Sequence, residues 1–187
     1  MKGSFATAYP ALFLSGCHAA GGPLNLLLRR RNPVSIDLRR DLGIWAGILA
    51  PVHTAVGQNV HLRRRSWLYY IYDHPARHIL PIRHDVFGLA NYSGALCTLL
   101  VILLLATSND ASLRGLGTRP WKTLQRWNYA AFGLLAIHAL AYEEGIEHQK
   151  IPWLVMTVAG LLITLMIQLA GFVQRRRARP GLDPSRA

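Results

Sequence analysis

Charge is confined to short windows along this chain, and that confinement limits the available folds more than any motif does. All thirty ionised side chains fall at Lys2 or within residues 29–41, 63–85, 110–126, 143–150 and 175 onward. The stretches 3–28, 42–62, 86–109, 127–142 and 151–174 carry no Asp, Glu, Lys or Arg. A helix that crosses a bilayer needs about 20 mostly apolar residues. Four stretches meet that length outright, and the one at 127–142 does so once Thr123 to Gln125 join it and Arg126 snorkels. A soluble globule would spread its charges along amphipathic faces. The expected fold is therefore all-α, a polytopic membrane helix bundle with about five transmembrane helices.

Each stretch has its own character. The first, about Phe5 to Leu28, is interrupted by Pro10 and by Gly21-Gly22-Pro23, and is expected to be short or broken. The second, Leu42 to Leu62, carries Pro51, which cannot donate to the Gly47 carbonyl and should kink the helix. The third runs from Val86 to Thr107, the fourth from Thr123 to Tyr142, and the fifth from Ile151 to Val173. Residues 1–174 form one helical domain on this reading, and 175–187 a basic, disordered cytoplasmic tail.

Loop charge sets the orientation. The 143–150 window holds three Glu and one Lys, whereas 110–126 holds three Arg and one Lys against one Asp, and the tail holds five Arg. The positive-inside bias then places 143–150 outside, and 110–126 and the C-terminus inside. Parity puts 29–41, with its five Arg, inside as well. The discordant window is 63–85, which also has five Arg yet falls outside; a loop of this size is expected to fold on the membrane surface. The same placement explains the pI near 10.7 without nucleic acid, because the Arg clusters sit at the ends of apolar stretches and not along a face or groove.

Several chemistries are excluded. Cys17 and Cys97 are the only cysteines, each deep in an apolar stretch, so neither a disulfide framework nor a zinc site is implied. No C-x-x-C-H occurs, which excludes covalent c-type haem, and no signal-peptide cleavage site is evident. The longest loop, about 24 residues, is shorter than one βαβ unit of about 30, so a flavin or dinucleotide domain has no room. Hydrolytic triads and paired intramembrane carboxylates are not visible, and no acid lies mid-span to drive a proton-coupled transporter.

The eight histidines carry the remaining signal. His53 and His138 each lie inside an apolar stretch, where an ionisable side chain is costly and marks function by default. His53 lies 12 residues past Asp41 and His138 lies 15 past Thr123, about 18 and 22 Å from the inner helix ends at 1.5 Å per residue. Two imidazoles at matched depth on neighbouring helices suit a haem iron bound from both sides. Ala46, Ala50 and Gly57 share the face of His53, leaving space, while Ala131, Leu134, Leu135 and Tyr142 share that of His138. The alternative is that both histidines fasten helices by hydrogen bonds. His18 sits mid-span in the first stretch and is expected to pack or hydrogen-bond. His61, beyond His53, either meets a propionate or is solvated, and Arg63, Arg64 and Arg65 either neutralise propionates or contact headgroups. His74 and His78 have metal-like i, i+4 spacing, but Pro75 favours a solvated surface. His84 and His148 are expected at the interface, with His148 a competing ligand if the last helix turn extends outward; Trp45, Tyr92, Trp127, Tyr129 and Tyr142 are expected as aromatic-belt residues, the alternative being that they shorten electron-tunnelling gaps.

Between about Leu24 and Val173 the chain resembles the ferric-reductase-like transmembrane family, in particular its haem-binding membrane subunits of methionine sulfoxide reductase systems. The resemblance rests on Leu38-Arg39-Arg40-Asp41-Leu42-Gly43-Ile44-Trp45 leading to His53. It continues through Thr107-Ser108, Leu116-Gly117 and Trp121-Lys122-Thr123-Leu124-Gln125-Arg126 to Tyr129 and His138. It implies one non-covalent haem b held by His53 and His138, passing single electrons across the inner membrane. The family pattern has His where this chain has Gln125, which implies that a second haem ligand is missing; the family also usually has six spans. A cytoplasmic flavin reductase or quinol would be the donor, and an outer reductase subunit or a metal ion the acceptor. The chain would be an electron-transfer subunit of an oxidoreductase and not a complete enzyme. The competing expectation is a cofactor-free transporter, channel or assembly protein with structural histidines.

Overall fold

In the computed structural model, residues 2–28, 34–60, 65–145 and 151–177 are described, and among them the fold is all-helical with no strand. The helices are α1 (Lys2–Leu27), α2 (Val34–Val60), α3 (Val86–Ala106), α4 (Asp110–Leu116), α5 (Thr118–Gln125), α6 (Asn128–Gly145) and α7 (Ile151–Arg177). Each charge-free stretch forms one of the five long helices α1, α2, α3, α6 and α7. Among the described residues, α3 and α7 are long and apolar enough to cross a membrane by length and composition, with mean hydropathy 2.0 and 2.1. At 1.5 Å per residue they measure ~31 and ~40 Å, against a hydrocarbon core of about 30 Å. Much of their apolar surface faces outward, as at Leu99 (64% exposed) and Met166 (66%).

The long helices close a ring. α1 packs against α2 and α7, α2 against α3, α3 against α6, and α6 against α7, while α1 also reaches across to α6. Small residues set the close approaches, as expected where helices meet without a strong hydrophobic drive. A Cβ on Gly47 would stand 3.1 Å from the Leu105 side chain, and one on Gly171 would stand 2.6 Å from Pro23 Cβ. Thr54 and Thr98 join α2 to α3 through their hydroxyls at 2.8 Å.

The first stretch departs from expectation, because α1 is one continuous 26-residue helix that contains both Pro10 and Pro23. Pro23 removes the N–H that would bond the carbonyl four residues earlier, at Ala19. That carbonyl instead accepts a hydrogen bond from Gln168 Nε2 of α7 at 2.5 Å. A neighbouring helix thus satisfies the carbonyl that proline leaves without its helical partner. Gln168→Leu should therefore lower the unfolding free energy by roughly 1 kcal/mol, read as an earlier thermal transition of the detergent-solubilised protein; an unchanged transition would mean that the bond does not hold α1 to α7. α2 likewise continues through Pro51.

The fourth stretch is broken. It is not one span from Thr123, because the chain turns at Arg126-Trp127, with Arg126 N–H donating to Thr123 O (3.1 Å) and Trp127 N–H to Leu124 O (3.0 Å). The amphipathic α5 is pinned across the end of α3 by Trp121 Nε1–H to Thr107 O at 2.8 Å and by Gln125 Nε2 to Ser108 Oγ at 3.3 Å. Asn109 caps α4 through Ser112 N–H, and Gly117 at φ 76° links α4 to α5. His138 is therefore 10 residues, about 15 Å, into α6. α7 runs on through Arg175, Arg176 and Arg177, which the sequence assigned to the tail; 178–187, the rest of that tail, lie outside the described residues.

Candidate functional site

A partly open cavity lies inside the ring. α1, α2, α3 and α6 line it, and Tyr69 and Tyr70 cover one end. α2 and α6 are not among the packed helix pairs, so the cleft opens between the two helices that carry His53 and His138. Both histidines line it, with ring centroids 6.2 Å apart and planes crossed at 77°. A metal–imidazole bond of about 2.0 Å, plus about 1.1 Å from nitrogen to ring centre, sets two opposed imidazoles of one metal roughly 6 Å apart centre to centre. The observed spacing matches that requirement.

Neighbouring helices fix both rings. His138 Nδ1 lies 2.8 Å from the Ala90 carbonyl of α3, which can only accept, so Nδ1 carries the proton and Nε2 presents its lone pair. A ligating histidine is commonly oriented in this way. The approach needs Gly94: a Cβ there would fall 2.5 Å from His138 Nδ1 and 2.7 Å from Cε1. Tyr142, one turn further along α6, stacks obliquely at 4.9 Å and donates to Asn91 Oδ1 at 2.7 Å. Across the cleft, His53 Nδ1 meets Thr7 Oγ1 of α1 at 3.1 Å. Of the residues expected on these faces, Ala50, Gly57, Ala131, Leu135 and Tyr142 do line the cavity. Ala46 is buried elsewhere in the packing, and Leu134 is not part of the lining.

Glu143, expected in an outer acidic loop, is only 7% exposed and contributes to the cavity wall. Thr157 and Tyr9 donate to its Oε1 at 2.6 and 3.3 Å, while the buried Oε2 has no partner among the described residues. A buried acid is therefore present, contrary to the reading of the sequence. Neither Glu143 nor the contacts of Thr7, Ala90 and Gly94 could be reached from spacing alone. The one available hint was the run of small residues Ser93-Gly94-Ala95 in an otherwise bulky helix.

The other described histidines are not part of the cavity lining. His18 packs against Gly43 of α2, where a Cβ would stand 2.7 Å from its ring. His74 and His78 do not form a metal pair on a helix: His74 is exposed, and His78 stacks on Tyr72 at 3.7 Å. His84 Nδ1 lies 3.4 Å from Tyr72 OH. His61, His148, Arg63 and Arg64 lie outside the described residues, and exposed Arg65 pairs with Asp73 at 3.6 Å. Trp45, Trp127 and Tyr129 are exposed on the outside of the ring. Tyr92 OH donates to Tyr70 O at 2.6 Å.

The cover over the cavity is firmly held. Tyr69 OH donates to Gly57 O at 2.8 Å, and Gln58 Nε2 donates to Tyr70 OH at 3.0 Å. Burial, followed by the neighbouring Tyr70, pushes the Tyr69 phenol up to about 12, so it stays a donor across the physiological range. Asp85 caps α3 through Gly88 N–H at 2.7 Å and pairs with Arg83 at 2.5 Å. The Arg83 guanidinium, aided by Gly88 N–H, holds the Asp85 carboxyl below its ordinary value. Its stabilising contribution is complete above the ordinary aspartate pKa of about 3.9 and disappears as pH falls through the lowered folded value. Asp85→Ala should cost about 1 kcal/mol at neutral pH, the usual loss for an N-cap. The gap between parent and variant melting curves should close in strong acid, and a gap that persists there would assign the effect to packing.

Fold and site together define an all-helical protein with an interior cavity faced by two histidines. Compared with protein-family models, curated proteins and solved structures, the chain matches none.

Proposed function

We propose that the chain is a multi-pass inner-membrane electron-transfer subunit in which His53 and His138 hold one b-type haem. The observation that carries this reading is the 6.2 Å separation of the two rings across a cavity. Among the described residues no three of His, Cys, Asp or Glu converge. Two imidazoles alone suit an iron whose remaining positions a macrocycle fills better than a bare ion, which takes four or more protein or water ligands. When bound, the haem supplies a one-electron Fe(III)/Fe(II) couple.

The chain's own residues orient, space and shield. Ala90 O fixes His138, Thr7 engages His53, and Gly94 leaves room for the His138 ring. Ala50, Gly57 and Ala131 keep the cavity wide, and Leu135 and Phe132 keep it dry. Tyr69 and Tyr70 close the end toward the α2–α3 loop. The loop charges support five spans with a cytoplasmic C-terminus, and the resemblance to the haem-binding membrane subunits of methionine sulfoxide reductase systems supports a flavin reductase or quinol as donor and an outer reductase subunit or metal ion as acceptor. With Gln125 bonded to Ser108, the inner end offers no imidazole at that position, in keeping with a single haem.

Buried Glu143 favours a second reading, a cofactor-free transporter, since a buried acid beside a cavity is a common element of proton-coupled transport. The visible spectrum of protein expressed with ample haem separates the two. A Soret band that sharpens, with α and β bands appearing on dithionite reduction, supports the haem subunit; a colourless protein supports the transporter.

A further inference from the structure

Residues 65–85, between α2 and α3, form a hairpin whose eight-residue tip, 73–80, ends in the exposed aliphatics Ile79 and Leu80. Its limbs are joined by the Ile71–Ile82 bridge, by Tyr72 N–H to Pro81 O at 3.0 Å, and by Arg83 N–H to Tyr70 O at 2.8 Å. Its base is fixed to α2 and α3 by the Tyr69, Gln58 and Tyr92 bonds described above. The tip nevertheless presents Ile79 at 102% exposure and Leu80 at 58%, with Ile82 and Trp67 also exposed. Neighbouring bare aliphatics on a firmly held hairpin mark a contact surface.

We propose that this tip inserts into the headgroup and upper acyl region of the leaflet next to the α2–α3 loop, with a preference for anionic lipid. The inference rests on the membrane reading of α3 and goes beyond it by assigning the hairpin's partner. Ile82 precedes Val86, the first residue of α3, by four positions, and Val86, Leu89, Leu96 and Leu99 continue the exposed apolar surface along that helix. Lipid is thus the apolar phase nearest to the tip. Charge argues for anionic headgroups: the 63–85 window has five Arg against two Asp, and both acids are engaged, Asp73 by Arg65 and Asp85 by Arg83. Exposed aliphatics in a segment whose sequence carries net positive charge are the pattern of interfacial anchors.

The test labels Ile79→Cys in the full chain with a polarity-sensitive fluorophore, with background from Cys17 and Cys97 measured on the parent. The site is fully exposed, so the substitution should not disturb folding. Reconstitution uses phosphatidylcholine vesicles with and without phosphatidylglycerol, with a second probe at Leu99→Cys on α3. The expected result is a blue-shifted Ile79 probe that is quenched by lipids brominated near the headgroup. It should be several-fold less accessible to aqueous iodide than the free dye adduct, with stronger protection when phosphatidylglycerol is present. An Ile79 probe as accessible as free dye, while the Leu99 probe is quenched by deep brominated lipids, overturns the insertion and leaves the membrane reading standing. Equal protection in the two lipid mixtures overturns the anionic preference. A Leu99 probe that no brominated lipid quenches overturns the membrane reading and this inference together.

Discussion

His138→Ala is expected to abolish the Soret band of the haem-loaded protein, and His53→Ala to do the same, each with loss of bound haem of at least about tenfold. Removing a partner that merely supports a ligand typically costs 10–100-fold in affinity, so removing the ligand itself should cost more. The expectation follows from the placement of the two rings on opposite walls of one cleft. Among the described residues, no other histidine lines the cavity to take the place of either. Gln125→Ala is the matched control: it breaks a surface-side bond to Ser108 and should leave the spectrum unchanged. Retention of the band in both histidine variants would remove the basis of the proposed function.

Gly94→Ala should produce nearly the same spectral loss without touching either histidine. The added methyl would lie 2.5 Å from His138 Nδ1, closer than side-chain carbons approach other atoms. The ring is held against α3 by the Ala90 carbonyl, so relief requires either breaking that bond or separating α3 from α6. In both cases His138 leaves the position from which it faces His53. Gly133→Ala, with nothing within 4 Å of the added carbon, should keep the spectrum and stabilise α6 by about 1 kcal/mol through helix propensity. Far-ultraviolet circular dichroism distinguishes displacement from unfolding, because Gly94→Ala should keep the helical signal. A normal spectrum in Gly94→Ala would show that α3 does not determine where the His138 ring stands.

The helices were legible where a local property specifies them. Confined charge marks all five long helices, because no ionised group lies within any of the five stretches. The meeting of His53 and His138 could be anticipated from their distance to the charged ends, although the inner reference point for α6 was misplaced by the turn at Arg126-Trp127. What remained hidden depends on partners distant in the chain. Pro23 reads locally as a helix breaker, and only Gln168 on the last helix shows why α1 continues. Glu143 opens an acidic window and reads as solvated; its burial depends on Tyr9 and Thr157, which its neighbours in sequence do not reveal. The roles of Thr7, Ala90 and Gly94 are set by helix packing, and a backbone carbonyl leaves no trace in the residue type.

Because α2 and α6 are not among the well-packed helix pairs of the described residues, the two walls that bear the histidines are joined mainly through α3 on one flank and α1 on the other. A guest bridging the rings would act as a keystone, joining by coordination what side-chain packing leaves apart.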